Sequence, residues 1–202
     1  MLEIILFAIG VMYTPGPVNI LSLNSGAQKQ FRAHIPFCGG VASALACWFL
    51  LVGYTGSLIV NNRLLPVIAA VGVCFVLYLA YKIMSSRVET GGAKQPAAVL
   101  TYKDGLLMQL FNPKAMMVVL PVTTVQFPAA GIHGGWIALW SIGLSLLGFG
   151  APLTYAAFGA TVFRSVRGNT CLKVMNFIMG MMLIAVAVDM GYFQVYLALA
   201  GQ

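Results

Sequence analysis

Charge is what this chain has least of. Only 7% of its 202 residues are Asp, Glu, Lys or Arg, against roughly 25% in a soluble globular domain. Four acids, Glu3, Glu89, Asp104 and Asp189, are spread along the sequence and offer no paired carboxylates. The two histidines, His34 and His133, fall in predicted loops on opposite sides of a membrane, so they share no metal or catalytic site. Four cysteines, Cys38, Cys47, Cys74 and Cys171, show neither CxxC nor metal-type spacing and read as small apolar residues in helix packing. No Ser-His-Asp set, nucleotide-binding loop or zinc motif is present. The expectation is a protein that is not an enzyme, binds no metal or cofactor, and is not an ATP-driven pump.

Apolar length is what the chain has most of. Hydrophobic residues make up 60% and mean hydropathy is +0.93, which identifies an all-α integral membrane protein. No formal charge interrupts Ile4 to Gln28, and Gly105 to Phe163 holds only Lys114. About 20 apolar residues span the hydrocarbon core, and the pattern predicts six transmembrane helices. They fall near Leu2–Asn24, Pro36–Val60, Leu65–Met84, Asp104–Gln126, Trp136–Phe163 and Leu172–Leu197. The fifth, unusually long, is expected to be tilted, kinked or partly interfacial. One transporter-type domain, 1–202, is predicted, its halves 1–86 and 104–202 joined by a hydrophilic loop, 87–103.

The N-terminus lacks a basic leader, begins with Glu3 and stays apolar too long for a signal peptide. It is read as the first span. The net charge of +7 would suggest nucleic acid in a soluble chain, but its distribution does not. Lys29, Arg32, Lys82, Arg87, Lys94, Lys103, Arg164, Arg167 and Lys173 all fall on one side, and only Arg63 on the other. By the positive-inside rule that basic side is cytoplasmic and both termini face outward. Lipid is a partner; nucleic acid is not.

Two proline-broken segments carry the chemistry. In Thr14-Pro15-Gly16-Pro17-Val18-Asn19 the prolines donate no amide proton, so the carbonyls of Val11 and Tyr13 lose their helical partners. Thr14 and Gly16, each before a proline, are pushed from helical geometry. In Phe111-Asn112-Pro113-Lys114 the same lesion frees the carbonyl of Gln109. Irregular backbone at membrane depth is tolerated only within protein or beside a watery cavity. Discontinuous helices at corresponding places in two halves point to a transporter's binding site. Two simple structural kinks are the plainer alternative. Lys114 lies about 15 Å along the helix from Asp104, near mid-bilayer, where a lysine costs about 3 kcal/mol. It should therefore face a cavity or a partner. Asp189, about 24 Å along the last helix from Lys173, either takes part in chemistry, with a proton, a substrate ammonium or Lys114, or marks an early end of that span.

Three spans per half make the halves opposite in orientation, so homologous halves would form two inverted three-helix repeats with helices 1 and 4 broken. Gly39-Gly40 and Gly134-Gly135, opening spans two and five, are a weaker match. Small residues in span two and in span five (Gly143, Ser145, Gly148, Gly150) suit close helix approach in lipid. Trp136, Trp140, Tyr192 and Tyr196 are placed as outer interface anchors.

Tyr13-Thr-Pro-Gly-Pro-Val-Asn-Ile20 resembles the first-span TPGP signature of the LysE/RhtB family of bacterial amino-acid exporters. Gly72-Val-Cys-Phe-Val-Leu-Tyr-Leu-Ala-Tyr-Lys82 resembles that family's third-span motif, and Gln109-Leu-Phe-Asn-Pro-Lys114 its NPK motif. Length, span number and motif order agree, so the resemblance covers nearly the whole chain. It implies a small secondary carrier in the bacterial inner membrane that expels amino acids in exchange for protons. The branch it looks most like exports neutral or sulfur-containing amino acids such as cysteine, O-acetylserine, threonine or homoserine. Val18 departs from the family, where the position after the second proline is often polar, and leaves Asn19 as the nearest polar side chain.

The expected substrate site is Thr14, Pro15, Gly16, Pro17, Asn19, Asn112, Pro113 and Lys114, with Asp189 as the proton-coupling candidate. The substrate carboxylate would meet Lys114 and amides near Gly16 and Val18. Its ammonium would meet the carbonyls of Val11, Tyr13 and Gln109, with Asn19 and Asn112 orienting it. A homo-oligomer is a candidate assembly. Two rival readings are a cation or metal exporter on a related scaffold and a non-transporting membrane assembly subunit.

Overall fold

The computed structural model describes residues 1–56 and 99–162, together with parts of 70–84 and 174–196. All regular structure among the described residues is helical. The loop at 87–98, about half of span three and part of span six, Asp189 included, lie outside them.

The first span is two helices, α1 (Leu2–Met12) and α2 (Pro17–Ala27), meeting at a 64° bend. Pro15 and Pro17 dictate this. Gly16, caught between them, is fully extended at φ −165° and ψ 174°, and Pro17 then opens α2 at its first position, where a missing N–H costs nothing. The fourth span repeats the device. Helix α3 (Ile35–Thr55) precedes it in sequence. Helix α4 (Tyr102–Leu110) then starts on a reciprocal cap between Thr101 and Asp104, which gives that acid a structural task. It stops before Asn112, and α5 (Pro113–Pro121) departs at a second 64° bend. Pro121 feeds a π-turn, Val122–Gln126, and one last helical turn, α6 (Phe127–Ala129).

The fifth span, α7 (Gly135–Val162), is one continuous helix of 28 residues with Pro152 inside it. At 1.5 Å per residue it runs about 42 Å, longer than the hydrocarbon is thick. The stretch Arg32–Thr55 and α7 are each long and apolar enough to cross a membrane, and counting each bent pair as one span makes four.

Glycine sets how the helices meet. Helix α2 packs on α7, where a Cβ on Gly26 would strike the Ala156 carbonyl and one on Gly159 the Leu23 carbonyl. Helix α3 packs on α4, where Gly40 meets the Tyr102 carbonyl and Gly105 the Phe37 carbonyl. These backbone contacts sit beside Lys29, Arg32 and Lys103, at the basic end of the molecule. Helix α3 also packs on α7, with Leu45 seated over Gly148.

The two Gly-Gly pairs are not equivalent, contrary to the match drawn from sequence. Gly40 is pressed against α4, whereas Gly134, at φ 54°, turns the chain and Gly135 faces open space. His34 also departs from expectation. It is buried at 1% exposure at the start of α3, its Nε2 2.8 Å from Ser22 Oγ and its ring stacked on Phe37. Burial follows from the tight return between α2 and α3, which folds His34 back onto α2. Of the four residues expected as interface anchors, Trp136, Tyr192 and Tyr196 are exposed, whereas Trp140 is half-buried against the core.

Candidate functional site

The broken ends of the two bent spans come together around one cavity. Gly16, Val18 and Asn19 line it from the first break, and Gln109, Asn112 and Lys114 from the second. Val41 and Leu45 of α3 and Val118 of α5 supply an apolar wall. Its volume is about 30 Å³, room for one or two waters and too little for an amino acid. Asn19, Gln109 and Asn112 are all buried.

Lys114 joins the two breaks. Its Nζ donates to the Thr14 carbonyl at 2.6 Å, and it lies against Gly16 so closely that a Cβ there would stand 3.1 Å from Nζ. The lysine predicted to need a partner at mid-bilayer has found one in backbone freed by the prolines.

Both carbonyls that the prolines deprive at the first break receive a new donor. Pro15 deprives the Val11 carbonyl, and the Thr14 hydroxyl supplies it at 2.7 Å. Pro17 deprives the Tyr13 carbonyl, and the Tyr155 hydroxyl of α7 supplies it at 2.9 Å. Asn19 Nδ2 bridges the carbonyls of Met12 and Thr14, each at 2.9 Å. At the second break Asn112 acts similarly. Its Oδ1 accepts from Lys114 N at 3.0 Å, its own N–H reaches the Gln109 carbonyl at 3.3 Å, and its Nδ2 reaches Gln109 Oε1 at 3.2 Å. Because Lys114 N is turned to Asn112, the Leu110 carbonyl lacks its helical donor, and Trp48 Nε1 of α3 supplies one at 3.1 Å.

This changes the expected division of labour. The carbonyls of Val11, Tyr13 and Gln109, expected to await an ammonium, are already satisfied. The carbonyl that holds a cation is that of Thr14, and the cation is Lys114 itself. Asn19 and Asn112 serve the backbone rather than standing free. Pro15 is exposed and Pro17 buried, both acting through the backbone they deny. Asp189 lies outside the described residues.

The electrostatics are one-sided. Helix α2 follows Gly16 with no side-chain cap, and α5, capped by Asn112, begins one residue before Lys114, so two helix N-termini converge here. Each carries roughly half a positive charge, and Lys114 adds a full one. Glu3 is exposed in the first turn of α1 and Asp104 caps α4, so neither described acid lines the cavity. Such a site favours an anionic group, as uncapped helix N-termini do generally. Among the described residues no group of three His, Cys, Asp or Glu could hold a metal ion.

Sequence reasoning missed Trp48 and Tyr155. Both are polar-tipped aromatics within a span, which must find acceptors in lipid. That need was visible, but not which carbonyl answers it.

Comparison with known proteins gives a consistent result. The profile of one family, LysE type translocator, matches residues 9–194. A cysteine/O-acetylserine efflux protein of Salmonella choleraesuis (strain SC-B67) is 27% identical over 182 residues, covering 89% of this chain and 91% of the relative. The protein of that name from Escherichia coli (strain K12) is 24% identical over the same share of each chain. No solved structure matches.

Proposed function

We propose, because the chain belongs to the LysE type translocator family, that it exports small neutral or sulfur-containing amino acids from the cytoplasm by alternating access. The bond from Lys114 Nζ to the Thr14 carbonyl carries this reading, since it joins the two broken helices at their shared cavity. A zwitterion suits that pair. Its carboxylate would draw Lys114 away from Thr14 and settle on the uncapped amides that open α2. Its ammonium would take the Thr14 carbonyl that Lys114 vacates. The internal ion–dipole contact is thus exchanged for two external ones, and no unpaired charge is left in a dry site. Apolar Val18, Val41 and Val118 favour a short uncharged side chain.

Cysteine and O-acetylserine are the leading substrates, as the names of the relatives suggest. Protons are the proposed coupling ion, with Asp189 as their carrier. The nine basic residues between spans support a cytoplasmic basic face, termini outside, and residence in the inner membrane as one domain of two inverted three-helix halves. Carrier chemistry of this kind asks for no catalytic residue and no cofactor.

Efflux after loading cells with a panel of dipeptides tests the function. Selective export of one or a few neutral amino acids is the expected result. Wild-type efflux no faster than from cells lacking the protein, at confirmed membrane insertion, would overturn it.

A further inference from the structure

The capping groups at the breaks fall into two kinds. Thr14, Asn19 and Asn112 belong to the broken spans they serve, so they move with them and fix nothing beyond local shape. Tyr155, Trp48 and Lys114 come from elsewhere in the chain. Tyr155 ties the first break to α7 across 142 residues, and Trp48 ties the second to α3 across 62. Lys114 ties the breaks to each other across 100. Helices α3 and α7 are themselves locked together where Leu45 sits on Gly148.

These four contacts close a ring: first break, α7, α3, second break, and back through Lys114. Helix α7 grips the first break doubly, because the Tyr13 hydroxyl also lies against Gly150, where a Cβ would stand 2.8 Å from it. We infer that Trp48 and Tyr155 are positioning residues, which hold the two breaks on the α3/α7 frame at the spacing Lys114 and the substrate must bridge. Neither touches the substrate in this scheme. Each replaces a backbone donor that the breaks have lost, and does so from a helix that is not itself broken. The inference rests on the exporter reading for its transport consequence, though not for its geometry.

The test uses Tyr155→Phe and Trp48→Phe in the full-length protein, assayed as uptake of O-acetylserine into inside-out membrane vesicles. An interhelical hydrogen bond in a membrane protein is worth enough to raise KM about three- to tenfold when lost. Each variant should show that rise with the maximal rate at equal abundance largely kept. The double variant should rise little beyond the larger single, because one opening already breaks the ring. Unchanged KM alongside a lower melting temperature would reduce both residues to packing and overturn the proposal. Singles whose effects multiply would overturn the ring.

Hydrogen exchange read by mass spectrometry supplies an arm that needs no transport. Tyr155→Phe should hasten exchange at residues 13–19 and also at 109–115, although the hydroxyl touches only the first. Acceleration confined to 13–19, or none, would refute the coupling even if no substrate were known. Wild-type vesicles that take up no amino acid would sink the exporter reading alone and leave this arm standing.

Discussion

Replacing Lys114 by Met separates the site's function from its stability. Met keeps an unbranched apolar stem of similar length and deletes the charge. What is lost is a 2.6 Å bond from an ammonium to the Thr14 carbonyl. Hydrogen bonds to charged groups are worth about 1.5–3 kcal/mol, yet the carbonyl is not orphaned, because Asn19 Nδ2 still reaches it at 2.9 Å. The stem also lies in contact with Gly16 and stays packed. Folding and insertion should therefore survive. Transport should not, because the cavity loses its one full positive charge among the described residues, the charge proposed to receive the carboxylate. The same 1.5–3 kcal/mol, now missing from substrate binding, corresponds to a fall of about 10- to 150-fold in uptake at low substrate concentration. Uptake of O-acetylserine into inside-out vesicles, normalised to membrane abundance, measures it. Arg should rescue poorly, since a planar guanidinium is broader than an ammonium in the space that Gly16 leaves. A Met variant transporting within about twofold of wild type would refute the reasoning, being less than any charge-assisted bond is worth.

Two further substitutions probe the framework. Asn19→Leu removes the donor to Met12 and leaves that carbonyl bare in a buried site, costing about 1–3 kcal/mol; a lower melting temperature in detergent and reduced membrane abundance are expected, the reverse of the Lys114 pattern, and wild-type values in both would count against the bridging role. Gly159→Ala would press a methyl into the Leu23 carbonyl and, as overpacking, should cost about 1–3 kcal/mol of thermal stability, whereas Gly143→Ala, with nothing within 4 Å, should melt like wild type; equal melting of the two would refute the tight α2/α7 contact.

How much of this was legible in the sequence differs by feature. The breaks were, because proline's missing amide and its effect on the preceding residue act locally and need no knowledge of the fold. The expectation that Lys114 lies deep came from counting along a helix, and depth demanded a partner. Which partner did not follow. Thr14 and Lys114 are 100 residues apart, and spacing within a helix says nothing about approach between helices. The same limit hid Tyr155 and Trp48. It also hid the new donors to the carbonyls of Val11, Tyr13 and Gln109, which the sequence shows as losing partners but cannot show as regaining them. The Gly39-Gly40 and Gly134-Gly135 pairs make the point from the other side. Identical letters served close packing in one place and a left-handed turn in the other, because a glycine's role depends on what stands opposite it.

The glycines also give the molecule a tight end and a loose one. Gly26, Gly40, Gly105 and Gly159, all toward the basic end, admit no Cβ because neighbouring backbone occupies the space. Toward the opposite end, Gly10, Gly56, Gly131, Gly134, Gly135 and Gly143 have nothing within 4 Å of such an atom, and Gly53 meets first a methyl of Ile137. Backbone-to-backbone contact is the closest packing available to helices in lipid, where association rests on van der Waals fit instead of on water exclusion. The half-helices therefore differ in freedom. Helices α2 and α4 are clasped along the basic end, while α1 and α5 leave the site toward the loose end and, among the described residues, share no comparable clasp. A cavity with backbone-to-backbone helix contacts toward one end and mainly side-chain contacts toward the other can enlarge at least cost on the second side. If the basic face is cytoplasmic, that second side faces away from the source of substrate, and Lys114 on Thr14 is the contact that the next substrate must undo.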